Sequence, residues 1–143
     1  MIRILAVGKL KDPRLAGLVD DYARRIGPHA RLRGEELRDQ GPEREARQIL
    51  ARLGPRGGTP VVALDERGAA LTSRGLADLL GRHGSLTFVL GGPDGLTDAV
   101  RDRADRVVKL SDLTLTHEWA RALLYEQIYR GLSILRGLPY HRE

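Results

Sequence analysis

The sequence predicts an α/β fold: a mainly parallel sheet with helices on both faces, formed by a single domain over residues 1–143. Three observations carry that expectation. Strand-like and helix-like stretches alternate along the whole chain, the pattern of successive β–α–β units. The runs VVAL (61–64) and TFVL (87–90) have no regular polar alternation, as strands covered on both faces should not. A length of 143 residues, 41% of them hydrophobic, is enough for one ordinary domain with its own core.

The elements follow in order. IRILAV (2–7) is a short apolar strand that GKLKD breaks. Leu15, Leu18, Val19, Tyr22 and Ile26 recur at helical spacing over 13–26, with Asp12 as N-cap before Pro13. ARLRGEEL (30–37) alternates loosely, as an exposed or edge strand does. Residues 41–54 carry Pro near the start, acids in the first turn and Gly at the end, which is helix punctuation. TPVVALD (59–65) is a second buried strand, expected to end in a turn at ERGAA (66–70). Thr72 or Ser73 caps a helix over 74–83. SLTFVLGG (85–92) is a third apolar strand, residues 95–104 a short helix capped by Thr97, and DRVVKLS (105–111) a further strand. A long helix then runs from Thr116 or His117 to about Ile134. Its Ala120, Leu123, Leu124, Ile128, Leu132 and Leu135 make one apolar stripe.

Composition excludes several functions. With no cysteine there are no disulfides and no thiolate metal sites. The histidines at 29, 83, 117 and 141 lack metal-ligand spacing, so no structural metal is expected. The start, MIRILAVGKL, is too short and too soon polar for a signal peptide or a membrane span, and a cytoplasmic location is expected. The net charge of +5 suggests an anionic partner such as nucleic acid. Acids are interleaved with the bases, however, and a general preference for arginine would give the same total.

In open α/β sheets, ligands bind outside the carboxyl ends of the strands. Three such ends stand out. At LGGPDGL (90–96), Gly91 and Gly92 allow close backbone approach to a ligand, or simply make a tight βα turn. Neither the P-loop pattern nor G-x-G-x-x-G is present. In LSDLTLTHEWAR (110–121), hydroxyls and backbone amides beside Leu113 and Leu115 suit a ligand with an aromatic body and polar edges, such as adenine. The alternative is a capping loop with both leucines turned into the core. Asp65, after its strand, reads either as a ligand contact or as a solvated turn residue, and His117 either faces the same crevice or sits at the cap. Tyr125 and Tyr129, at i and i+4, read as packing or interface residues.

Taken in order, ALDERG, FVLGGPDGL, LSDLTLTHEWARALLYEQIYR and the closing LPYHRE resemble the ribosomal large-subunit pseudouridine N3-methyltransferases, the RlmH family of the SPOUT superfamily. The resemblance spans the chain from IRILAVGKLKD to Glu143. It implies a C-terminal trefoil knot, a homodimer, S-adenosylmethionine (SAM) as methyl donor, and 23S rRNA within the ribosome as substrate. Carried over by position, it implies a cofactor pocket of Leu64, Gly92, Ser111, Asp112, Leu113, Thr114, Leu115 and Thr116. It also implies a catalytic substrate arm of Tyr140, His141 and Arg142. Relatives commonly have Pro where this chain has Thr116. The apolar stripe of the last helix is compatible with a twofold interface. A non-catalytic RNA- or ribosome-binding module is the alternative function. Phosphoryl transfer is disfavoured by the missing P-loop lysine and acidic metal cluster.

Overall fold

The computed structural model describes residues 1–143 as a five-stranded sheet with helices on both faces. The strands are β1 (Ile2–Val7), β2 (Leu32–Leu37), β3 (Val61–Ala70), β4 (Leu86–Leu90) and β5 (Arg106–Lys109). They lie in the order β2-β1-β4-β3-β5, and every pairing is parallel. All five carboxyl ends therefore open on one edge of the domain. β4 is buried along its whole length between β1 and β3, which explains its apolar run, and Phe88 is fully enclosed. Truncating Phe88 to alanine would cost about 3–5 kcal/mol. β2 is the edge strand its looser pattern predicts.

Two cores flank the sheet. On one face α1 (Pro13–Ile26), α3 (Ser73–Arg82) and α5 (His117–Leu135) cover Ile4, Phe88 and Leu90, with α5 packed between α1 and α3. On the other, α2 (Pro42–Leu53) and α4 (Asp98–Arg103) cover Leu5, Val61 and Val89. The cap residues work as their chemistry requires. Asp12 accepts the N–H of Arg14, Thr72 that of Gly75, Thr97 that of Val100 and Thr116 that of Trp119. Each such cap is typically worth about 1 kcal/mol.

Two expectations are corrected. The chain does not turn at 66–70. Leu64 and Ala69 both pair with Val108, so residues 65–68 bulge out and β3 then resumes to Ala70. A β-carbon on Gly68 would lie 2.5 Å from the backbone nitrogen of Val108, so only glycine permits this approach. Bulges re-aim the side chains they carry. The stripe of α5 is the second correction. Leu124, Ile128 and Leu132 are buried in the chain's own core, while Ala120 and Leu123 are half-buried and only Leu135 of the stripe is exposed. Tyr125 is likewise buried, with its hydroxyl against Gly34. No helix is long and apolar enough to cross a membrane.

Candidate active site

The carboxyl ends of β4, β3 and β5 are neighbours, and the chain leaving each forms one wall of a cavity of about 660 Å³. That lies within the range of about 300–1,000 Å³ common for small-molecule sites.

The first wall is the β3 bulge, Leu64 to Arg67. Asp65 turns inward rather than into solvent. Its Oδ1 accepts the Arg67 N–H at 2.9 Å, and its Oδ2 accepts from Arg101 Nη1 at 3.1 Å. Both oxygens are thus committed to loop geometry.

The second wall is the glycine turn, Leu90 to Leu96. A β-carbon on Gly91 would lie 2.7 Å from the carbonyl carbon of Gly95, and Gly95 donates its N–H to the Gly92 carbonyl at 3.0 Å. The turn folds on itself and leaves Gly92 facing the cavity. The tight turn is formed, and it brings bare backbone to the cavity.

The third wall runs from Lys109 through the first turn of α5. Ser111 Oγ accepts the Leu113 N–H at 2.9 Å, ordering the loop. Ser111, Leu113, Thr114, Leu115 and Thr116 all line the cavity. Leu113 is 78% exposed, so the reading with both leucines in the core fails for it. Asp112 lies outside the wall. Its side chain is 86% exposed and pairs with Lys109 Nζ at 2.5 Å, a bond that holds its carboxyl below the usual range.

His117 and Glu118 complete this wall. The His117 ring stands over Gly8, its Nε2 3.8 Å from where a β-carbon there would lie. Glu118 Oε1 accepts the N–H groups of Asp12 at 3.0 Å and Lys11 at 2.6 Å. The bond from Asp12, then that from Lys11, holds its carboxyl below the ordinary range, so it is anionic at neutral pH. Deeper in α5, the buried Arg121 donates to the Gly8 and Val7 carbonyls at 2.7 and 3.1 Å and to Glu36 at 2.7 Å, tying the helix to the end of β1.

The cavity therefore offers apolar patches, exposed backbone polar groups, carboxylates from Glu66, Asp94 and Glu118, and cations from Arg67, Arg101 and Lys109. That set fits a ligand with a flat aromatic part, hydroxylated edges and a cationic end. No group of three side chains suited to hold a metal ion occurs.

The closing arm is not frayed. Tyr140 donates its O–H to Glu126 at 2.9 Å and accepts from Tyr22 at 2.8 Å. Its ring meets Tyr129 edge-on at 4.7 Å and lies under the Arg130 guanidinium at 4.8 Å. Burial, then these hydrogen bonds, raises its pKa above the ordinary tyrosine value. Arg130 Nη1 donates to His141 Nδ1 at 3.1 Å, which occupies the lone pair a base would use. Glu143 pairs with Arg74, and Arg142 is exposed with no partner. Tyr140, His141 and Arg142 do not line the cavity. Thirteen helical steps along α5 take the chain from His117 to Arg130, about 20 Å at helical rise.

Sequence reasoning missed Arg101 on α4. It also left the role of Glu118 unassigned. Acid near a helix start was the available signal.

Comparison with known proteins follows the same lines. The family described as "Predicted SPOUT methyltransferase" matches residues 1–141. Ribosomal RNA large subunit methyltransferase H from Synechococcus sp. (strain RCC307) is 45% identical over 99% of this chain and 94% of its own. The protein of that name from Anaeromyxobacter sp. (strain Fw109-5) is 40% identical over 99% of both. The crystal structure of the SpoU methyltransferase AviRb from Streptomyces viridochromogenes shares the fold, with a TM-score of 0.53 at 17% identity. That alignment covers 96% of this chain and 61% of AviRb. With matches running from end to end, the chain belongs to the SPOUT methyltransferase family.

Proposed function

We propose that the chain is a SAM-dependent methyltransferase of large-subunit ribosomal RNA, acting on N3 of a pseudouridine in 23S rRNA within the assembled ribosome. The observation that carries this reading is the convergence of the three strand-end loops on one cavity that suits an adenosine with a cationic tail. Leu64, Gly92, Ser111, Leu113, Thr114, Leu115 and Thr116 would hold the cofactor, while Asp112 stands outside the wall and pairs with Lys109. When bound, SAM supplies an electrophilic methyl group on a sulfonium. The knotted threading implied by the resemblance belongs to the same proposal, and the meeting of residues 64–67, 90–96 and 109–120 supports it.

N3–H of the base is weakly acidic, so its proton must be lost or shared before the nitrogen attacks. Asp65 and His141 each have their accepting atoms engaged in this structure, which favours solvent as the acceptor, with nearby positive charge stabilising the base anion. The exposed Arg142 supplies such charge and can grip the oxygen-bearing edge of the base or a phosphate. Tyr140 and His141 fasten the arm that presents it. Meeting of an anion and a sulfonium removes charge, so a partly dry cavity favours transfer. Alignment of the two reactants can contribute up to about 7–11 kcal/mol.

The arm lines no part of its own cavity, so a second copy is its natural destination. Leu113 beside the cavity and Trp119, 56% exposed on the first turn of α5, are left for that contact. Recognition of the RNA then rests on the assembled ribosome and both protomers.

Calorimetry with SAM tests the reading. A saturable heat is expected, with a stabilisation of about 2.7 kcal/mol at a hundred times Kd. No heat and no thermal shift at millimolar SAM would remove the cofactor assignment.

A further inference from the structure

We propose that Arg101 is a positioning residue for cofactor binding, acting with Asp65 as a clamp that fixes the 64–67 bulge against the 90–96 turn. The proposal rests on the cavity being the SAM site.

Each cavity wall is ordered internally by its own bonds. Asp65 orders the bulge through the Arg67 N–H, and the Gly92–Gly95 bond orders the turn. Neither bond fixes one wall relative to the other. Arg101 does. Its Nη1 donates both to Asp65 Oδ2 on the first wall and to the Leu96 carbonyl on the second. Its Nη2 is held by Asp98, three residues earlier on α4. The Asp65 and Arg101 side chains are only 8% and 13% exposed, so solvent screens the pair weakly. A guanidinium suits the task because its donors fan out in fixed directions, whereas an ammonium is a single point charge.

The geometry also separates two roles that Asp65 could play. A carboxylate committed to the clamp acts on where the cofactor sits. A carboxylate accepting the substrate proton acts on turnover. Removing Arg101 leaves the enclosed Asp65 carboxylate without its cation, and removing Asp65 leaves Arg101 tied to Asp98 and Leu96 but not to the first wall.

The test is a double-mutant cycle of Asp65→Asn and Arg101→Gln, with Arg101→Lys as the conservative variant. SAM affinity is read by calorimetry, the melting temperature without SAM by scanning, and turnover at saturating SAM with ribosomes. Each single change should weaken SAM binding about tenfold, and the pair together no more than the worse single. Turnover at saturating SAM should stay within about threefold, and Arg101→Lys should recover part of the affinity. Unchanged SAM affinity with a lowered melting temperature would reduce the pair to a structural bond and overturn the proposal. Collapse of turnover in Asp65→Asn at saturating SAM would overturn it too, making Asp65 the proton acceptor. The wild-type titration is done first, so failure of the cofactor reading itself shows before any variant is compared.

Discussion

Arg142 is the one side chain of the closing YHRE with no partner in its own chain, while Tyr140, His141 and Glu143 are fastened to α5, α1 and α3. An unpaired guanidinium on an anchored arm suits recognition of an anionic or carbonyl edge. Arg142→Ala should therefore lower methyl transfer by about 10²-fold or more, with SAM affinity and melting temperature unchanged. Loss of SAM affinity in that variant would move Arg142 to the cofactor site. At this scale the family resemblance pointed to Leu64, Gly92 and the 111–116 segment, and all of these but Asp112 line the cavity. It could not show that the Asp112 side chain faces away, because successive loop residues point in directions set by the Ser111–Leu113 bond. Nor could it show that His141 gives its lone pair to Arg130, eleven residues earlier.

Among the elements, β3 departs most from its pattern. ERG reads as turn chemistry, and nothing local reveals that Ala69 and Ala70 return to pair with Val108 and Lys109. Gly68 makes that return possible by lying against the β5 backbone. Gly68→Ala should force the strands apart, costing roughly 1–3 kcal/mol in chemical denaturation, and should weaken SAM binding because the bulge carries the first wall. Wild-type stability in that variant would show that β5 yields freely. The helices were better marked, since Asp12, Thr72, Thr97 and Thr116 all cap where their side chains predict. The α5 stripe shows the opposite case. Periodicity reveals that a face is covered but not whether its own chain or a second copy covers it, and here α1, α3 and the sheet take it.

Over the whole molecule, long-range ionic contacts tie distant segments together and set the pH response. Glu35 on β2 meets Arg3 of β1, Arg52 of α2 and the neighbouring Arg33. The hydrogen bond from Arg3, aided by the other arginines, holds its carboxyl below the usual glutamate value. Its folded pKa thus lies below its unfolded one, so its contribution is complete above about pH 4.3 and is lost as pH falls through the folded value. The melting temperature should drop from pH 5 to pH 3, and Glu35→Gln should flatten that fall; an unchanged slope would show that other carboxylates set it. The strand order β2-β1-β4-β3-β5, which makes three ligand loops neighbours, follows from chain crossovers that no local pattern encodes. The ordered set of motifs, through the family likeness, pointed to a parallel α/β fold and not to this order. Incubation of the protein with labelled SAM and either whole ribosomes or naked large-subunit RNA tests the central claim most directly. Label should enter 23S rRNA at N3 of a pseudouridine in the ribosome and be far weaker on the naked RNA. Equal labelling of naked RNA, or none of either, would contradict the account.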